Sequence, residues 1–148
     1  TTTQTPIAKI KCSPVRYITD TDRLLTDYQE VGNLPEIESD QINIYNDVKP
    51  DWTVIKAAEY IKLADKNFVN IDKIGIDNRQ SLFKLYLREG AEVNVRQQDN
   101  PGRIVASLQT IISRFRIEGK IISVINFQFD KPVVTLVNEE KNNSIKGL

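Results

Sequence analysis

Histidine and methionine are absent from this chain, and cysteine occurs once, at Cys12. Without histidine there is no usual zinc ligand and no side chain that titrates unaided near neutral pH, which excludes the commonest acid/base catalysts. A single cysteine cannot close an internal disulfide, and Cys12 reads as a small, half-buried strand residue. An excess of either charge is missing too: 20 basic and 20 acidic residues give a net charge of zero, against a dedicated nucleic-acid binder. No apolar run approaches a membrane span, and no signal peptide is visible. The lack of a start methionine leads us to expect a fragment of a longer protein. Phosphate-cradling glycine loops, Gly-x-Ser-x-Gly elbows and calcium-binding Asp-x-Asp-x-Asp-Gly loops are all missing. No catalytic, cofactor-binding or metal-binding residue can therefore be named, and the chain is read as a non-enzyme.

What is present suits a folded domain. Of 148 residues, 40% are hydrophobic and 27% charged, enough to build a core without covalent staples. The charges are segregated, however. Asp20, Asp22, Asp27, Glu30, Glu36, Glu38, Asp40 and Asp47 stand against Arg23 alone. Arg103, Arg114, Arg116 and Lys120 stand against Glu118 alone. These segments read as solvated faces that attract each other, with a partner-steering field as the secondary reading.

Two stretches have helical period. Val54, Ala57, Ala58, Ile61 and Ala64 share one face, with Pro50 blocking backward extension and Asp51 or Thr53 placed to cap. Ile104, Leu108, Ile111, Ile112 and Phe115 form the second stripe. There Asn100 is the cap, Pro101 the first helical residue, and Gly119 the stop. Trp52, beside the first helix start, is expected to cover the end of the core.

Extended segments surround them. Ile7 to Lys11 alternates weakly, and Arg16 to Thr19 with Leu24 to Tyr28 brackets Asp20-Thr21-Asp22 as a hairpin. Ile42 to Tyr45 is at most a short strand, and residues 46–50 a loop. Phe68 to Ile76, Leu82 to Leu87 and Ala91 to Arg96 form a meander turning at Arg88-Glu89-Gly90. The closing feature says most. Ile121 to Phe129 and Val133 to Val137 are β-branched runs split by Asp130-Lys131-Pro132, a turn that folds them into a hairpin. No later strand follows, so the last strand is expected at a sheet edge, where its backbone can pair with another chain. Phe127 is expected inside and Phe129 near the edge. The partner-binding candidates are Phe129, Val133, Val134, Thr135, Leu136 and Val137.

The expected fold is α+β, a largely antiparallel sheet with two helices packed on it, ending in a hairpin with an exposed edge strand. Residues 1–15 read as a lead-in strand, 16–137 as a β domain and 138–148 as a disordered polar tail.

Several short motifs, in order, resemble the extracytoplasmic β domain of the FtsQ/DivIB cell-division family. Thr5-Pro6-Ile7-Ala8 is similar to the end of the strand joining that family's POTRA domain to its β domain. Arg16-Tyr17-Ile18-Thr19-Asp20 and Leu34-Pro35-Glu36-Ile37 resemble its tyrosine-containing strand and its Leu-Pro segment. Leu85 to Val95 is similar to its central hairpin, Ile104 to Phe115 to the helix before its closing strands, and Val124 to Val134 to its closing motif. Two departures stand out: the first turn carries Asp22-Arg23 instead of a glycine, and Asn126-Phe127-Gln128 replaces the usual Asp-Leu-Arg. The resemblance implies a non-catalytic scaffold of the bacterial divisome, outside the inner membrane and anchored by a single span upstream of Thr1. It implies partners of FtsB/DivIC and FtsL type, captured partly by strand addition at the last strand. The alternative is another extracytoplasmic envelope-assembly adaptor binding peptide or glycan.

Overall fold

The computed structural model describes residues 5–12, 15–26, 28, 32–40 and 51–137. The short strand expected at Ile42 to Tyr45, the loop at 46–50 and the tail at 138–148 lie outside these residues. Among the described residues nine strands form one sheet in the order β3-β2-β1-β4-β5-β6-β7-β8-β9. They are β1 (Pro6–Ile10), β2 (Arg16–Thr19), β3 (Leu24–Leu25), β4 (Glu36–Ser39), β5 (Ile71–Asp77), β6 (Leu82–Leu87), β7 (Glu92–Arg96), β8 (Ile122–Asn126) and β9 (Val133–Leu136). The helices are α1 (Trp52–Lys66) and α2 (Pro101–Ile117). The segment read as a lead-in strand thus contributes β1, between β2 and β4 in the same sheet.

The sheet is mixed but mostly antiparallel, an α+β fold. The parallel pairs are β1–β4, β4–β5 and β7–β8. Parallel neighbours need a crossover, and α1 and α2 supply it from β4 to β5 and from β7 to β8. Both crossovers step the same way along the sheet, between strands of one orientation. A common right hand therefore sets both helices on one face, running in the same direction. They pack against each other there. The core lies between layers: Val54, Ala57, Ala58 and Tyr60 of α1 and Leu108 of α2 with Ile74, Phe83, Leu85, Val93, Val95 and Ile125 of the strands, all buried. Tyr60 meets Phe83 edge to face, centroids 5.8 Å apart.

Local signals explain most element ends. The Asn100 side chain accepts the Arg103 amide at 3.1 Å and Pro101 takes the first helical position, so α2 starts where its cap chemistry places it. Gly119 (φ +71°) ends it, and Gly90 (φ +103°) closes the β6–β7 turn. Neither expected cap residue bonds the first amides of α1; the Thr53 hydroxyl donates to the Asp51 carboxylate instead.

Four expectations are corrected. The strand read from Phe68 begins at Ile71, because Phe68 (φ +60°) ends α1 in the left-handed conformation. Its amide reaches Asp65 O at 3.3 Å and the next amide, Val69, reaches Ala64 O at 2.9 Å. Trp52 is 57% exposed, since α1 turns the following residues Thr53 and Val54 toward the sheet. On α2 the buried stripe is Ile104, Val105, Leu108 and Ile112, with Ile111 and Phe115 half-buried on its flank. Only one helical neighbour, α1, stands beside α2 among the described residues. Finally, the acidic and basic segments do not pair with each other there. Asp22 pairs with Lys62 (3.5 Å) and Glu38 with Lys73 (2.8 Å) and Lys11 (3.8 Å). Arg114 and Lys120 pair with Glu118, and Arg116 with Glu89.

The Glu38–Lys73 pair sets a pH dependence. The Lys73 ammonium against it holds the Glu38 carboxyl below its usual range, and Glu38 raises Lys73 in return. A depressed carboxyl stabilises the fold above its unfolded pKa, and that contribution is lost as pH falls through the folded value. The raised lysine contributes below its unfolded pKa and loses this as pH rises through its folded one. Both side chains are about two-fifths exposed (38% and 42%), so solvent screens the pair to about 0.5 kcal/mol. Glu38→Gln should therefore lower the denaturation midpoint slightly between about pH 5 and 9. The gap to wild type should close in acid. A gap unchanged at pH 3 would contradict this assignment.

Candidate partner-binding edge

The closing hairpin begins from β8, whose Ile125 is fully buried and aligned with Val93 of β7. The strand ends at Asn126, three residues before the sequence-predicted run does. Phe127 donates its amide to Asn94 O (2.8 Å) and buries its ring, while the Gln128 amide is taken by the Asn126 side chain (2.9 Å). That closure turns the chain outward and leaves Phe129 60% exposed. After Asp130-Lys131-Pro132 the chain returns as β9, antiparallel to β8, with Asn126 aligned to Val133, Ile125 to Val134, Val124 to Thr135 and Ile122 to Leu136. A bulge in β8 between Ile122 and Val124 leaves one extra residue there and twists the hairpin.

Among the described residues no strand pairs with the outer side of β9, the last in the sheet order. Its side chains divide by face. Val134 packs against the core beneath the helix layer, and Thr135 points to the opposite face by the two-residue alternation. Val133, at the strand start, is 48% exposed, and Val134, Thr135, Leu136 and Val137 are half-buried. The ladder also fixes where each amide points. Val137 donates inward to Ile121 O at 3.1 Å. Backbone donors alternate along a strand, so Thr135 and Val133 also point toward β8, and Val134 points away from it. Val134, in the middle of β9, is thus a residue whose backbone donor an added strand would meet.

The named candidates fall together: Phe129, Val133, Val134, Thr135, Leu136 and Val137 make one continuous edge with an exposed aromatic at its start. A neighbour that the sequence did not assign to this edge also joins it. A cleft of about 350 Å³ beside the turn is lined by Phe127, Phe129, Asp130 and Pro132 from the hairpin and by Arg103, Ile104 and Ser107 from α2. Residues separated by 26 positions in sequence meet there, and only the βαβ path of α2 over β7 and β8 brings them together. Arg96, from β7, also lines the cleft, with its guanidinium on Asp99 at 3.1 Å. No group of three or more carboxylate or cysteine side chains placed to hold a metal ion occurs among the described residues. No described helix is long and apolar enough to cross a membrane.

No protein-family model matches this chain, and no curated protein matches it either.

Proposed function

We propose that this chain is a non-catalytic scaffold domain of the FtsQ/DivIB type, acting in bacterial cell division outside the inner membrane. It takes up a segment of a coiled-coil partner of FtsB/DivIC type, assembled with an FtsL-like protein, as a tenth strand beside β9. The observation that carries this reading is β9 itself: the last of the nine strands among the described residues, with the Val134 amide directed outward and Phe129 exposed at its start. An added strand gains main-chain hydrogen bonds along such an edge, and an exposed aromatic supplies an apolar anchor. The ordered motifs described above, from Thr5-Pro6-Ile7-Ala8 to the closing hairpin, support the family part of the reading.

The test is a calorimetric titration of this domain with the extracytoplasmic segments of the FtsB/DivIC-like and FtsL-like proteins encoded in the same genome. Saturable binding of a strand-forming segment is the expected result. Absence of binding up to roughly millimolar concentration, where affinity is only about 4 kcal/mol, would reject the partner.

A further inference from the structure

Resting on the edge reading above, we infer that the segment taken up at β9 is acidic and that Arg103 reads its charge. Residues 101–137, from α2 to the end of the hairpin, carry five bases (Arg103, Arg114, Arg116, Lys120, Lys131) against two acids (Glu118, Asp130), on a chain that is neutral as a whole. The positive excess is therefore concentrated in the elements that flank the edge. Arg103 is its forward member. It lines the cleft with Phe129 and is exposed, and its guanidinium makes no ion pair among the described residues. Arg114, Arg116 and Lys120, by contrast, are held by Glu118 or Glu89.

The position of Arg103 in its own helix sharpens the point. With Asn100 as cap and Pro101 first, Arg103 is the third helical residue. The dipole of α2 favours a carboxylate there and disfavours a cation, and the first turn carries no acid at all. Local helix chemistry does not explain an arginine at this site. A carboxylate arriving with a chain that pairs along β9 does. An apolar side chain of that segment lies against Phe129 in the same cleft, with the acid beside it. Asp130 also lines the cleft and repels an acid beside it, so the arriving carboxylate is placed on the Arg103 side; Asp99, the other acid there, is already paired with Arg96 at 3.1 Å.

The experiment uses the whole domain and the FtsB/DivIC-like extracytoplasmic segment as probe, measuring affinity and association rate for wild type, Arg103→Glu and Val134→Pro. Glutamate suits the third helical position, so Arg103→Glu should melt at or slightly above the wild-type temperature, and any loss of binding is not a loss of fold. The expected result is about a tenfold weaker affinity for Arg103→Glu, mostly through slower association. Wild-type affinity should fall as salt rises from about 0.05 to 0.5 M, and the variant should fall less. If Val134→Pro loses binding while Arg103→Glu binds as wild type, the acidic-partner inference is overturned and the edge reading stands. If neither variant weakens binding, the edge reading itself fails, and this inference with it.

Discussion

Val134→Pro should weaken partner binding at least thirtyfold while leaving a folded domain. Proline removes the amide that points away from β8, and its ring obstructs the neighbouring main-chain contacts on that side. Two or three interchain hydrogen bonds at about 1 kcal/mol each amount to about 2–3 kcal/mol, or thirtyfold to a hundredfold in dissociation constant. The bonds that hold β9 to β8 are donated from alternate residues and survive. Proline is tolerated on an edge strand when its nitrogen faces outward. The informative contrast is Thr135→Pro. The Thr135 amide faces β8, so this variant breaks the hairpin's own ladder and should lower the melting temperature as well as the affinity. Calorimetric affinity and thermal melting of both variants separate the two effects. A Val134→Pro domain that binds as tightly as wild type would exclude strand addition at this edge.

The largest stability effect should come from Leu108→Ala. Leu108 is fully buried on α2, in one cluster with Val93, Val95 and Ile125 from the strands below. Removing a buried isobutyl group loses its transfer free energy and leaves a cavity that rigid strands cannot collapse, a cost of about 2–5 kcal/mol. For a chain of this size that corresponds to a drop of roughly 10 °C in melting temperature. Ile111→Ala, three residues on, should cost about 1 kcal/mol, because the half-buried Ile111 already meets solvent on one side. Chemical denaturation of the two variants checks the pair. Equal losses would mean that α2 is rotated about its axis from the orientation described. The same substitutions bear on the edge, because β8 aligns Ile125 with Val93 and carries β9 on its other side.

The two helices, the meander and the closing hairpin were legible because each carries its own local chemistry. Asn100-Pro101 and Gly119 delimit α2 by capping and positive φ, and Gly90 marks a turn whatever surrounds it. Burial along α2 was only half legible. A stripe of Ile104, Leu108, Ile111, Ile112 and Phe115 shows the apolar side, but its width depends on a neighbouring helix, and among the described residues only α1 stands there. Phe68 departs from the expected strand for a related reason. A β-rich stretch predicts a strand, while the hydrogen bonds that end α1 use Phe68 in a conformation that glycine usually fills. At the edge, the alternation of Val133 to Val137 marks a strand and its position marks an edge, but no pattern in sequence tells which amides face outward. That depends on the register with β8, including its bulge between Ile122 and Val124. The meeting of Arg103 with Phe129 was hidden in the same way. It follows from a parallel crossover, and local sequence carries no sign of which strands α2 will connect.

The central claim is that β9 receives a strand. The most direct measurement is amide hydrogen exchange across the closing hairpin, read residue by residue with and without the coiled-coil partner. The account predicts that the Val134 amide exchanges fast in the isolated domain and is strongly slowed in the complex, while Thr135 and Val137, already bonded to β8, change much less. Bound partner with Val134 exchange unchanged would contradict it and place the interface elsewhere on the domain.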